Sequence, residues 1–329
     1  MFRCILLLLF IGIAFNSGCG NTIEKKQSDN EYTLLLYSEL DNNFTEHLIK
    51  EFNREYQGKI SIKAVYELKD GSLMPDLVLA EQRTLSGFKR QEHLKPVAFA
   101  VGDRLPEKFR DEDLCWYGVF YDPTVFLINQ QYARVIGQAN IGSWRDLENN
   151  EKLRIAVENL SDSNSTKNFL AAFTEHFGET TALNYLFNIN RFIGQYAKFP
   201  FTPIRMTAVG DADLAITRQS YVFKYLENKF PAYLVHPKEG APVNLYCIGM
   251  LKNCKDDKKA LSFIEWILES AKVQTIAQED ATGFMFLFPR GIEAAVTEPE
   301  KIWLNKTYLE PTKQDELTNK WLSRVRFSK

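Results

Sequence analysis

Residues able to hold a small charged molecule recur in this chain just after short apolar runs. Ser161, Ser163 and Ser165 lie in the polar stretch Ser161-Asp162-Ser163-Asn164-Ser165-Thr166, directly before a helical pattern, with Lys167 beside them. Arg218, Ser220 and Tyr221 follow the apolar run Ala212 to Thr217, Ser38, Glu39 and Asp41 follow another, and Glu81 and Gln82 a third. Hydroxyls together with the cations Arg205 and Arg218 suit an anion, because guanidinium groups make strong charge-assisted hydrogen bonds. The carboxylates Glu39, Asp41 and Glu81 suit an amine-bearing ligand instead. Serine and aspartate before a helix also serve as plain N-caps. Arg205 and Lys198 equally fit solvated surface charges, and Tyr221 a core aromatic, so residue type alone leaves these readings open. No GxSxG elbow, HExxH, Walker loop or GxGxxG occurs, and no paired acid–base constellation stands out. The four histidines lie far apart and there is no CxxC pair, which speaks against a zinc site or a Cys–His nucleophile. The chain reads as a binder and not an enzyme.

Such residues need a scaffold, and the composition supplies one. The 329 residues carry a formal charge of −2, are 45% hydrophobic and 25% charged, and include 24 Phe, 14 Tyr and 5 Trp. These values match an ordinary globular protein and exclude a disordered, collagenous or multi-span membrane chain. The charge is spread without a basic block, so no nucleic-acid partner is expected. At ~150 residues per domain the length suggests about two domains.

The N-terminus reads as an export signal. Arg3 precedes an apolar run, Cys4 to Phe15, whose length of about 18 Å as a helix is too short for a ~30 Å hydrocarbon core. It fits the apolar core of a secretory signal. Ser17 and Gly18 before Cys19 resemble the bacterial lipoprotein cleavage box, which implies acylation of Cys19 and an extracytoplasmic, lipid-anchored protein; a cut elsewhere would leave Cys19 incidental. Gly20 to Asn30 then forms a polar tether. Of the remaining thiols, Cys115, Cys247 and Cys254, the last two could bridge, although their spacing does not decide it.

Further on, strands and helices alternate. Tyr32 to Tyr37 is a short apolar run of the kind found in parallel strands buried on both faces. Asn43 with Glu46 reads as a capping box, and Phe44, Leu48, Phe52 and Tyr56 form one helix face. Lys59 to Tyr66 and Asp76 to Ala80 are further strands, so the opening is a right-handed parallel α/β unit. Val119 to Phe120 and Val125 to Asn129 read as strands leaving this sheet. Leu153 to Val157, a helix with Phe169, Phe173 and Phe177, a helix over Thr181 to Arg191, and the strand Ala212 to Thr217 build a second block. Val243 to Leu251 returns to the first sheet, an amphipathic helix capped by Asp256 or Asp257 follows, and a helical tail contains Trp303, Leu309, Leu317 and Trp321.

Several local phrases carry a resemblance. They are Leu36-Tyr37-Ser38; Glu51 to Tyr56; Pro75-Asp76-Leu77-Val78-Leu79-Ala80; Leu105 to Asp111 with Trp116 and Asn129; Ser143 to Leu147; Val209 to Ala215; Asn244 to Leu251; and Ala260 to Ile264 with Gln274. In this order they resemble the extracellular solute-binding proteins of ABC importers, specifically the type II periplasmic binding fold in its ferric-iron, family 1-like branch. The resemblance implies a two-lobed α/β fold with a ligand cleft between the lobes. It implies a membrane-anchored monomer that captures a small-molecule or metal solute and hands it to ABC permease subunits, with no resident cofactor. An extracellular sensor of the same fold is the alternative role. Ferric-binding members use two adjacent tyrosines where this chain has Ser220-Tyr221, and a first-lobe histidine where it has Asp41, which leaves Tyr221 as the metal-ligand candidate. The expected solute is therefore ferric iron or an anion such as a phosphonate, phosphate ester or metal–organic-acid complex, with a polyamine or thiamine as the alternative. The expected layout is residues 1–18 signal peptide, 19–30 tether, 31–126 plus 232–289 first lobe, 127–231 second lobe, and 290–329 a helical tail on the first lobe. The lobes should pivot near Leu127 and Pro231.

Overall fold

The computed structural model describes residues 32–68, 74–98, 100–135, 141–226, 230–287 and 298–328. The signal peptide, the tether and the acylation assigned to Cys19 lie outside these residues, as does the start of the tail. The strands are β1 (Thr33–Ser38), β2 (Ser61–Val65), β3 (Leu77–Glu81), β4 (Leu94–Lys95), β5 (Trp116–Asn129) and β6 (Ile155–Glu158), followed by β7 (Ile193–Ala197), β8 (Leu214–Arg218), β9 (Ala232–Val235), β10 (Ala241–Leu251), β11 (Met285–Phe286) and β12 (Ile302–Trp303). The helices are α1 (Asn42–Glu55), α2 (Gln82–Arg90), α3 (Ala100–Asp103), α4 (Gln130–Val135), α5 (Trp144–Glu148) and α6 (Asn164–Phe177), then α7 (Glu179–Asn190), α8 (Phe201–Val209), α9 (Gln219–Leu226), α10 (Asp257–Glu269), α11 (Ala271–Glu279) and α12 (Pro311–Trp321).

Two sheets meet on one strand. In the first, β1 pairs in parallel with β2 and β3, and β10 runs antiparallel between β3 and β5. In the second, β6 lies parallel between β7 and β8, and β8 and β9 flank the far half of β5. Residues Trp116 to Pro123 of β5 pair with β10, whereas Thr124 to Ile128 pair with β8. The sequence suggested two strands here, Val119 to Phe120 and Val125 to Asn129, but they are one. Pro123 falls between β11, whose pairing ends at Tyr121, and β8, whose pairing begins at Thr124. A missing N–H is tolerated at such a position.

The strand pairing also moves both expected crossing points. The chain leaves the first sheet between Pro123 and Thr124, not near Leu127. It returns between Val235 and Ala241, because β9 still pairs with Phe126 to Asn129. Gly240 in that return has φ +106°, and any Cβ there would collide with the Lys301 backbone, so the close passage next to β12 demands glycine.

Each sheet has its own core. Leu34, Leu36, Phe44, Phe52, Phe120 and Phe263 centre the first. Phe126, Trp144, Leu170, Phe173 and Leu214 centre the second. In α1, Phe44, Leu48 and Phe52 are buried as the four-residue spacing predicts, and Tyr56 packs on Phe52 with ring centroids 4.3 Å apart. The cap of α1 is Asp41, which accepts from the Asn43 amide at 3.0 Å, and not Asn43 itself.

The tail divides between the two cores. Ile302 and Leu304 are buried in the first, as expected, whereas Leu317, Trp321 and Val325 are buried in the second. Asn190 Nδ2 donates to the Val325 carbonyl at 2.9 Å, and Lys167 pairs with Asp315 at 2.8 Å. The four-residue apolar spacing makes a stripe that must be covered, but it does not say which lobe covers it. Cys115, Cys247 and Cys254 are all free thiols. Among the described residues no helix is long and apolar enough to cross a membrane.

Candidate functional site

Loops at the carboxyl ends of β1, β3 and β8, with the start of α6, surround a cavity of about 590 Å³. An adjoining recess of about 330 Å³ shares Glu39, Glu81, Ser165, Arg218 and Tyr221 with it. Open α/β sheets place ligand sites at these strand ends, because the loops and helix N-termini there carry unpaired N–H groups.

Four helix N-termini converge on the cleft, and the protein's own side chains meet each of them. Asp41 caps α1. Glu39 accepts from the Glu81 amide at 3.0 Å and from Thr84 Oγ1 at 2.8 Å at the start of α2. Ser163 caps α6 in a reciprocal box with Thr166. Asp122 accepts from the Ser220 amide at 2.9 Å and from Ser220 Oγ at 2.6 Å at the start of α9.

Arg218 forms the floor. Its guanidinium lies 3.8 Å from the Asp122 carboxylate, donates to Ser165 Oγ at 3.2 Å, and stacks 4.0 Å from the Tyr221 ring. Ser165 Oγ in turn donates to Glu81 Oε1 at 2.8 Å and accepts from Asn244 Nδ2 at 3.0 Å. Burial opposes the Arg218 charge, but Asp122 and the carboxylates behind it more than offset this and hold its pKa above the ordinary range. Burial pushes the Asp122 and Glu158 carboxyls up, with Arg218 acting in the opposite direction on both. Burial also raises Glu39, against its hydrogen bonds. Asp41 is held down by the hydrogen bond from Lys224, which reaches it at 2.9 Å.

Several of these contacts join the two lobes. Ser165–Glu81 and Lys224–Asp41 link α6 and α9 to the first lobe. Gln219 Nε2 donates to the Gly283 carbonyl at 2.5 Å, and Asn168 Nδ2 to the Val243 carbonyl at 3.0 Å. The protein's own polar groups thus bridge the lobes across the cleft.

The structure gathers Glu39, Asp41, Glu81, Ser163, Ser165, Arg218, Ser220 and Tyr221 along this cleft. Four expected residues are not in its lining. Ser38 is buried and bonded to Thr45 Oγ1 at 2.8 Å as a loop brace. Gln82, the first residue of α2, lines a different groove with Lys89 and Trp116. Ser161 donates to Asp162, outside the lining. Arg205 is exposed on α8, as a solvated charge would be.

Tyr246, Asn244, Asp122, Glu158 and Lys224 were not foreseen. Tyr246 pairs in register with Glu81 and Asn244 with Asp122, so β10 delivers both from the middle of an otherwise apolar strand. A polar residue inside such a strand was the available signal. Among the described residues no group of three or more His, Cys, Asp or Glu could hold a metal ion. Carboxylate and phenol oxygens lining the cavity come from Glu39, Asp41, Glu81, Asp280, Tyr221 and Tyr246.

Comparison with known proteins places this geometry in a family. Residues 72–306 match the model for bacterial extracellular solute-binding proteins, and the chain belongs to that family. It is 26% identical over 196 residues to an uncharacterised protein of Haemophilus influenzae, a match covering 56% of each chain. The chain thus spans little more than half the length of that relative. It is 22% identical over 310 residues to iron uptake protein A1 of Synechocystis, covering 83% of this chain and 84% of that one. Its fold is that of two-lobed periplasmic binding proteins. The fructose-6-phosphate-bound AfuA of Actinobacillus pleuropneumoniae superposes with a TM-score of 0.67 at 20% identity, over 90% of this chain and 99% of that one.

Proposed function

We propose that this protein is the solute-capturing component of an ABC importer, exported and held at the membrane through an acylated Cys19. Its cleft closes on a small hydroxylated anion, free or as its ferric complex, and the closed form presents the solute to the permease. One observation carries this reading. The Arg218–Ser165–Glu81 chain places donors and acceptors together at the point where the two lobes touch. A solute bearing an anionic group and hydroxyls can join that network, its anion towards Arg218 and Asn244 and its hydroxyls towards Glu39 and Glu81. The iron uptake and sugar-phosphate relatives support both halves of that solute class. A thermal-shift screen of ferric citrate, sugar phosphates, phosphonates, polyamines and thiamine tests it. A ligand at 100 times its Kd stabilises the fold by about 2.7 kcal/mol. Stabilisation by polyamines or thiamine alone would overturn the reading.

A second reading has its own support. Tyr221 and Tyr246 line the same cavity as Glu39 and Glu81, and four hard oxygen donors suit uncomplexed ferric iron. Titration with Fe(III) would then give a phenolate-to-iron absorption band that is lost in Tyr221→Phe.

A further inference from the structure

Behind Arg218 the second lobe encloses a further cavity of about 50 Å³. Its walls are apolar, with Leu160, Phe169, Leu186, Ile189, Ile193 and Ile216 facing the space. Two polar atoms of lining residues have no partner among the described residues: Arg218 Nε and Trp321 Nε1. Both atoms are buried and Trp321 is 0% exposed, so bulk water does not satisfy them. Indole and guanidinium nitrogens can only donate, and buried donors left unpaired are uncommon in folded proteins. The cavity therefore calls for an acceptor. It also adjoins the cleft, since Glu158, Ser165 and Arg218 line both. The tail helix supplies Trp321, so the second-lobe seat of the tail is what closes this space.

We propose that the cavity is an inner compartment of the binding site. It takes a short apolar arm of the solute, ending in a carboxylate or carbonyl oxygen. The size follows from the volume, because one water needs about 10–15 Å³ on this measure, which leaves room for about three to five non-hydrogen atoms. Apolar walls favour a carbon arm, and the donors Arg218 Nε and Trp321 Nε1 receive its acceptor end. The solute is then amphipathic, with its hydrophilic part between the lobes and its arm inside the second. This inference rests on the reading of the cleft as the solute site.

Short acids test the compartment directly. The full chain is titrated with the sodium salts of straight-chain acids from formate to octanoate and with the alcohols of matching length, followed by ligand-observed NMR and thermal shift. Affinity should peak at acetate or propionate, with the alcohols weaker. Ile193→Phe, which fills the space, should weaken the best acid about tenfold or more, and Trp321→Phe about threefold. The smaller change keeps the test decisive if Ile193→Phe does not fold. A series with no length optimum, or unchanged binding by both variants, would show that the cavity holds water only and overturn the proposal. Failure of the cleft reading looks different. The short acids would still bind and still respond to Ile193→Phe, while no solute of the broader screen responded to Ser165→Ala.

Discussion

Ser165 and Glu81 stand 84 positions apart in the chain and 2.8 Å apart in space, joined by a hydrogen bond from the first turn of α6 to the end of β3. That bond spans the two lobes, and its acceptor is the residue just before α2. A hydrogen bond to a charged partner contributes about 1.5–3 kcal/mol. Ser165→Ala should therefore weaken solute binding about tenfold or more, measured by calorimetry with whichever solute the screen returns. Small-angle scattering should show a larger radius of gyration for the solute-free variant. An unchanged radius and affinity would mean that the lobes do not use this bond to close.

Arg218 and Asp122 form a pair in which the carboxylate side chain is 0% exposed and the guanidinium side chain 15%. Removing one partner of a buried pair costs about 3–5 kcal/mol, because the other is left charged and unsolvated. Arg218→Leu should lower the melting temperature sharply, and the double variant Arg218→Leu with Asp122→Asn should recover part of the loss. A single variant as stable as the parent would contradict the buried pairing.

The pH response of Glu158 follows from its environment. Burial raises its pKa above the ordinary 4.5 against the pull of Arg218, so the folded protein holds this proton more tightly than the unfolded chain. The stability associated with Glu158 is full below pH 4.5 and is lost as pH rises through the higher folded value. Glu158→Gln carries no such titration. The variant's melting temperature relative to the parent should rise as pH goes from 4 to 8. A difference that stays flat over that range would exclude the burial of this carboxyl.

Trp321 is fully buried in the second core, although it lies near the end of the chain. Trp321→Ala should cost about 3–5 kcal/mol in denaturant unfolding. Hydrogen exchange should locate the loss in α6 and α7, with β1 and α1 unaffected. Loosening of β1 and α1 instead would return the tail to the first lobe.

The scaffold was legible where local chemistry suffices. Phe44, Leu48 and Phe52 announce the buried face of α1, whereas Ser163 and Thr166, read as loop before a helix, are the cap and first turn of α6. Half of the cleft was legible for the same reason, since residues after a parallel strand reach the ligand side regardless of their partners. The remainder depended on long-range register. Tyr246 and Asn244 sit in a strand whose apolar neighbours conceal them, and only pairing with Glu81 and Asp122 reveals where they face. The seat of α12 was hidden for a related reason. An apolar stripe states how much surface must be covered, but two cores were equally able to cover it.

The unbroken course of β5 has a mechanical consequence. A loop between two rigid bodies lets them swing freely about it, but here a single ribbon is hydrogen-bonded on one side of Pro123 to one body and on the other side of Thr124 to the next. Opening must twist that ribbon along its axis while both sets of ladder bonds hold. The strand then works as a torsion spring, and the few internal bonds that span the mouth set how far it is wound.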